Sequence, residues 1–418
     1  MSILIKGALL EGKKKDIYIA GNLIEKIEDN ISAEADRVIE AGEKAAFPSL
    51  MNGHTHAAMT LLRGYADDMP LEQWLTTKIW PLEAKLTEED VYWGTKLACL
   101  EMIKGGTTFF NDMYWHWHGT ARAVEEMGIR ASINAVFIDF FDQEKAKEQI
   151  KENEKLFCES KRYGSRVIFS LGPHAIYTVS KESLLWAKKF ADENKLLVHI
   201  HLAETKKEVD DCLAQHGKRP VEYLADIGFL GNNIIAAHCV WLSDEAIKIL
   251  ADHEVKVIHN PTSNMKLSVG SVSPYSKLKG AGLATCLGTD GASSNNNLDL
   301  LEAVKIAALL EKFYTNDPTA MPAKEALDLI TINPAKAFGL NCGRIEEGRL
   351  ADLILIDLKR PELTPGYNLA SDLVYAANGS CVETVICDGK ILMENRKVEG
   401  EEEIIEKARE AASGLVKR

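Results

Sequence analysis

Beyond residue 46 the hydrophobic positions repeat a unit: a short apolar, β-branched run, a polar loop, then an apolar stripe at helical spacing. Eight runs recur in this way, over 46–56, 107–113, 130–138, 167–174, 196–204, 233–240, 255–264 and 284–291. Eight β/α units in succession predict an α/β fold, a closed (β/α)8 barrel of the TIM type, in which functional groups gather at the C-terminal ends of the strands. The helix signals agree. Thr87 precedes Glu88, Glu89 and Asp90, an N-cap followed by acids in the first turn, and Gly105-Gly106 marks the stop. Ser180 and Ser243 are N-cap candidates for two later helices.

Both flanks follow a different period. Residues 3–45 and 343–398 alternate apolar and polar positions around turns at Gly21-Asn22 and Asp388-Gly389, as strands do. They are expected to pair into one small β-sandwich domain built from both chain ends. The predicted organisation is 1–45 with 343–398 as the composite β-domain, 46–342 as the barrel, and 399–418 as a charged helical tail.

Composition narrows the setting. Hydrophobic residues make up 46% and charged residues 27%, with a mean hydropathy of −0.13. No apolar stretch nears the roughly 18 residues that span a bilayer, and the run Ile3-Leu4-Ile5 is too short for a signal peptide, which predicts a cytoplasmic protein. Acids outnumber bases by 62 to 49, a net charge of −13 with no basic block interleaved with aromatics, so neither nucleic acid nor an anionic membrane is an expected partner. The eight cysteines form no CxxC and read as buried free thiols of a reducing compartment. The missing CxxC also excludes the zinc deaminases that use that motif.

The histidines supply the candidate chemistry. His54 and His56 close the first run, and residues one apart on a strand point to the same face, so both imidazoles can reach one ion. The spacing alone is cheap, because His116 and His118 share it. What raises the first pair is the set that follows at later strand ends: His174 after the fourth, His201 and Glu204 at the fifth, His238 at the sixth, Asp290 at the eighth. Three imidazoles and a carboxylate make a nitrogen and oxygen site suited to zinc or another divalent transition ion with room for water. Glu204, three residues past a ligand, is placed to donate a proton to a substrate, and the strand must break between His201 and Glu204. His238 would touch the water or a developing oxyanion, and Asp290 would contact the ion and accept the water's proton. His116 and His118 read as loop contacts in a stretch rich in Trp and Tyr, and His199 as support for the site or core packing.

The set resembles the amidohydrolase superfamily, in its mononuclear branch, where the fourth strand carries no carboxylated lysine; here it ends in Gly172-Pro-His174. Within that branch the chain resembles the methylthioadenosine/S-adenosylhomocysteine deaminase family, including its archaeal 5′-deoxyadenosine deaminases, through LLRGYADDMPLEQWL, WPLEAKL, GGTTFFNDMY, GPHAIYT, HIHLAET, AAHCVWL, HNPTSNMKL and LGTDGASSNNNLDL. The resemblance implies metal binding by His54, His56, His201 and Asp290, one divalent ion per subunit, with Zn2+ expected and Fe2+ or Mn2+ as alternatives. It implies catalysis by Glu204, His238 and Asp290, and substrate contact by Glu83, His174, Glu204 and Asp290. The implied reaction is hydroxide attack on C6 of an adenine nucleoside, protonation of N1 by Glu204 and loss of ammonia. A homo-oligomer, a tetramer, is implied as well.

The chain departs from the family at two places. Ser49 stands where relatives have Gly, a backbone position of little chemical consequence. No arginine occurs between Arg130 and Arg162, where relatives that handle S-adenosylhomocysteine well hold its carboxylate. A preference for small, uncharged 5′ groups is expected. Other readings keep the barrel: guanine or cytosine deamination, hydrolysis of a halogenated ring, or a scaffold without catalysis. Glu83 also fits a surface acid at a helix start, Trp74 fits a pocket wall as well as a lid or subunit contact, and Asn264, near the end of the seventh run, is placed to face the site.

Overall fold

A computed structural model describes residues 1–418. Eight parallel strands pair in chain order: Leu50–Thr55, Thr107–Tyr114, Arg130–Phe137, Val167–Pro173, Val198–Leu202, Ile234–His238, Lys256–His259 and Thr285–Leu287. The seam between the eighth strand and the first closes through the segment that follows the eighth. The Asp290 N–H donates to the His54 carbonyl at 3.0 Å, and Asn52 accepts from the Thr289 N–H at 3.1 Å and donates to its hydroxyl at 2.7 Å. Glycine is required here. A Cβ at Gly288 would stand 2.8 Å from the His54 nitrogen, and one at Gly53 2.9 Å from the Ile258 side chain, so a larger residue would push the seam apart.

Helices cover the outside of this sheet, and their caps follow the sequence signals. Thr87 accepts from the Asp90 N–H in a capping box at the start of Glu88–Lys104, and Ser180 and Ser243 cap Lys181–Asn194 and Asp244–Asp252. The apolar faces of these helices and the outward strand residues form one large core.

The two chain ends supply strands to a second, mixed sheet of eight strands that is continuous in its hydrogen bonding. Its own core is Ile3, Ile5, Ile17, Ile19, Leu353 and Leu355 with their neighbours. The turns at Gly21-Asn22 and Asp388-Gly389 form as predicted and pack together. Asn22 donates to Asp388 at 3.1 Å, and a Cβ at Gly389 would collide with the Gly21 carbonyl. The helix Glu401–Lys417 lies on Glu88–Lys104, tied by Lys104–Glu401 at 2.5 Å and Arg418–Asp90 at 2.6 Å.

Three expectations need correction. The run 46–56 is shared between sheets: Lys44–Pro48 pairs antiparallel with Leu353–Asp357, and the barrel strand starts at Leu50, past a proline that cannot donate to a ladder. The run 255–264 ends as a strand at His259, because Pro261 opens a short helix, Pro261–Lys266, that carries Asn264. Cys158 is exposed on Gln143–Ser160, whereas the other seven cysteines are buried and free.

Candidate metal centre and substrate pocket

At the C-terminal end of the barrel, each of three imidazoles is aimed by one nitrogen. His56 Nδ1 donates to the Met113 carbonyl at 2.5 Å, His201 Nδ1 to the His174 carbonyl at 2.9 Å, and His54 Nδ1 meets His199 Nε2 at 2.7 Å. A backbone carbonyl can only accept, so His56 and His201 each carry a proton on Nδ1 and turn Nε2 toward the cluster. His54 Nε2 is buried without a hydrogen-bond partner. It lies 3.3 Å from Asp290 Oδ1, and His56 Nε2 lies 3.2 Å from the same oxygen.

The charges match the geometry. Burial holds His54 at about 4 and His201 well below the usual imidazole range, so both are neutral donors. Burial also works against charge on His56, but the Asp290 carboxylate outweighs it and lifts that pKa to about 9. Asp290 itself is raised by burial and lowered more strongly by His54 and His56, which leaves it well below the usual carboxylate range. The second carboxylate oxygen is fixed by the Ser263 hydroxyl at 2.6 Å. The ligand atoms of His54, His56 and Asp290 lie within 4.8 Å of one another, and so do those of His54, His201 and His238. Inward nitrogens with their partner nitrogens anchored, beside an ionised carboxylate, fit a divalent metal, which would take the place of the proton His56 holds against Asp290.

The proton-transfer candidates stand beside this cluster. The strand breaks after Leu202 as expected, Ala203 takes φ 51°, and Glu204 turns in so that its Oε1 is 3.8 Å from His238 Nδ1. Burial raises the pKa of Glu204. His238 Nδ1 donates to Asn264 Oδ1 at 2.8 Å, which gives Asn264 the role of holding His238. His174 Nδ1 donates to the Thr178 hydroxyl at 2.8 Å, and burial takes this imidazole down to about 3, a neutral acceptor.

His56, Glu83, His174, His201, Glu204, His238 and Asp290 line one cavity of about 80 Å3, with Trp74, Trp80 and Tyr177 among its apolar walls. Glu83 is thus in the pocket, its pKa raised by burial, with Tyr114 and Trp115 facing it. Trp74 is buried and donates to the Ala66 carbonyl at 2.9 Å. A second cavity of about 690 Å3 shares the walls Trp80, Glu83, Tyr114, Trp115, Val136 and Ile138. His116 and His118 line that second cavity. They bond to the Leu86 carbonyl and to Glu159, outside the metal cluster. Sequence reasoning offered Trp74 as a pocket wall among other readings, and missed Ser263 and Trp80. Ser263 lies inside HNPTSNMKL and Trp80 opens WPLEAKL, but no residue type there announces a contact with a ligand.

Comparison with known proteins shows the family and the relatives of the chain. The amidohydrolase family matches residues 45–392. The chain is 52% identical to a 5′-deoxyadenosine deaminase from Methanoregula boonei over 92% of its length and 87% of the relative's. It is 49% identical to a 5-methylthioadenosine/S-adenosylhomocysteine deaminase from Archaeoglobus fulgidus, covering 99% of this chain and 97% of that one. A crystal structure of an adenosine deaminase from Xanthomonas campestris with bound zinc superposes with a TM-score of 0.94 at 33% identity, over 100% of this chain and 99% of that one.

Proposed function

Because the chain belongs to the amidohydrolase family, we infer that it is a metal-dependent hydrolytic deaminase that converts adenine nucleosides to hypoxanthine nucleosides and ammonia. The observation that carries this reading is the set of three Nδ1-anchored imidazoles and Asp290 beneath a pocket that also holds Glu204 and Glu83.

His54, His56, His201 and Asp290 would hold the ion, and zinc is our assignment, with Fe2+ and Mn2+ suited to the same donors. When bound, the ion lowers the pKa of water from about 15.7 toward about 7 and so supplies a nucleophile at neutral pH. The chain's own groups handle the protons. Asp290, ionised and fixed by Ser263, accepts one from the attacking water. Glu204, whose burial favours the protonated form, donates to N1 as oxygen adds to C6. His238, held by Asn264, contacts that oxygen. The proton on Asp290 then passes to the amino group, the C6–N bond breaks to release ammonia as C6=O forms, and the remaining hydroxyl proton returns to Glu204. Glu83 binds the ribose hydroxyls, and His174 accepts from the substrate.

The adjoining cavity supports a further reading, that neutral 5′ groups are preferred, as in 5′-deoxyadenosine and methylthioadenosine. Its walls include Glu88, Glu152, Phe140 and Gln149 and no arginine, so they supply no bidentate partner for the carboxylate of S-adenosylhomocysteine. An arginine introduced between Asp142 and Lys145 should improve turnover of S-adenosylhomocysteine; no gain would count against this reading. A homotetramer is our reading of the assembly. It is supported by the exposed Leu309, Phe313 and Tyr314 on one helix, Phe313 at 85%, and light scattering would test it.

The deciding experiment is ammonia release by the zinc-loaded protein from 5′-deoxyadenosine, methylthioadenosine, adenosine, S-adenosylhomocysteine, guanine and cytosine. Turnover confined to adenine nucleosides is expected. Glu204→Gln should keep its metal and lose about 10²- to 10⁴-fold in turnover, the range for a general acid. Activity on free bases alone would overturn the substrate assignment, and near-normal turnover by the variant would remove Glu204 from the mechanism.

A further inference from the structure

The turn that presents Glu204 is tied down from two sides. Ala203 at φ 51° and, on the neighbouring strand end, His238 at φ 72° and Cys239 at φ 48° all occupy the left-handed region, which residues other than glycine keep only when their surroundings fix them. Backbone bonds lock the two turns together. The Cys239 N–H donates to the Leu202 carbonyl at 3.0 Å, and the Val240 and Trp241 N–H groups both donate to the Ala203 carbonyl, at 3.0 and 2.9 Å.

The other side of the turn is held by one carboxylate. Glu208 Oε1 accepts from the Ala203 N–H at 2.8 Å, and its Oε2 accepts from the Glu204 N–H at 2.9 Å. Glu208 is the third residue of the helix Lys206–His216, is only 4% exposed, and donates its own N–H to the Thr205 cap at 3.1 Å. In an ordinary capping box this carboxylate would return to the N–H of the cap residue itself. Here both oxygens reach past Thr205 to the two residues before it. They serve the loop that carries Glu204, while the helix is capped by the threonine hydroxyl alone.

We propose that Glu208 is a positioning residue for deamination, whose carboxylate holds the Ala203 and Glu204 N–H groups and thereby keeps the Glu204 carboxyl beside His238 and over the substrate ring. The inference rests on the reading of Glu204 as the proton donor. A general acid works only within about 2.6–3.2 Å of its target, and a misplacement of about 1 Å can cost about 100-fold. Two backbone N–H groups held by the two oxygens of one carboxyl group fix both the position and the orientation of the turn.

The test compares three variants of the metal-loaded enzyme on 5′-deoxyadenosine or whichever adenine nucleoside the wild type turns over best. Glu208→Gln keeps the size but opposes an NH2 group to one of the two N–H donors. Its kcat should fall about 10- to 100-fold, with KM within about threefold and metal content unchanged. Thr205→Ala removes the cap of the same helix without touching the clamp, and should lower Tm while kcat stays near wild type. Glu208→Asp is one methylene short and should fall between Gln and wild type; it decides the matter if the Gln variant does not fold. A wild-type kcat in the folded Glu208 variants would overturn the proposal, and so would equal losses of kcat in Thr205→Ala and Glu208→Gln. Absence of turnover by the wild type on every adenine nucleoside would instead overturn the functional reading, and the proposal with it.

Discussion

His54 is the most deeply placed of the proposed ligands, and its aim depends on another histidine. With Nε2 directed to the ion, Nδ1–H must donate to His199 Nε2, 2.7 Å away. Burial keeps the pKa of His199 well below the imidazole range, so that nitrogen is free to accept. His199→Leu should therefore weaken metal binding by about 10- to 100-fold, the effect of losing an orienting partner, read by chelator competition. Unchanged affinity would make His199 a packing residue. Glu208 gives a second outcome at this scale. Burial lifts its pKa from 4.5 to about 7, the bonds from Ala203 and Glu204 opposing in part, so the folded state binds a proton that the unfolded state releases. Its contribution is then most favourable below about pH 4.5 and declines as pH rises to about 7. The difference in urea midpoint between wild type and Glu208→Gln should shrink over that interval and be flat above it; a constant difference would show that Glu208 is ionised throughout. The proposed ligands stand out in the sequence because HxH, HxHxxE and TDG have distinctive spacing. Ser263 and the clamp by Glu208 were not, and Asn264 was legible only as a residue facing the site and not as the partner of His238, since a serine, an asparagine or an acid reveals its partner only once the strands are side by side.

Among the elements, those with strong caps and clear periods were read correctly, and those decided by tertiary contact were not. Thr87 and Asp90 form the predicted box, and Thr87→Ala should cost about 1 kcal/mol in urea unfolding. The division of 46–56 between two sheets could not be read, because its residues are apolar on both sides of Pro48 and only the partner strands distinguish them. The segment over the pocket was also hidden. Leu71–Trp74 and Trp80–Glu83 are single helical turns joined by a π-turn at Leu75–Ile79, ahead of Pro81, which has no N–H to offer the preceding turn. Trp74, Ile79 and Leu82 from this segment share a core with Leu415 of the C-terminal helix, which is fully buried. Leu415→Ala should cost about 2–5 kcal/mol and, by loosening the pocket wall, raise KM more than it lowers kcat. A lower stability with an unchanged KM would separate the two elements.

Across the whole molecule the reactive end and the structural end of the barrel are separated by the length of the strands. Arg130 begins the third barrel strand, at the end away from the metal cluster, and is 4% exposed. It meets Asp388 at 3.2 Å and Asp352 at 3.5 Å, both from the C-terminal part of the second sheet, and Arg166 meets Asp388 at 3.3 Å. These four charges join the barrel floor to the sheet built from both chain ends. Removing one partner of a buried ion pair leaves an uncompensated charge and typically costs about 3–5 kcal/mol, whereas replacing the pair with apolar residues is often neutral. Asp352→Ala should accordingly lower stability by about that amount, and Arg130→Met combined with Asp352→Leu, which leaves Asp388 paired with Arg166, should recover much of it. In a (β/α)8 barrel the chemistry sits at the C-terminal face and the opposite face serves stability. At temperatures well below the transition, kcat and KM of the Asp352→Ala protein should therefore match the wild type. A parallel loss of kcat would mean that the second sheet sets the geometry of the metal centre, through the first strand that leads directly from Pro48 to His54.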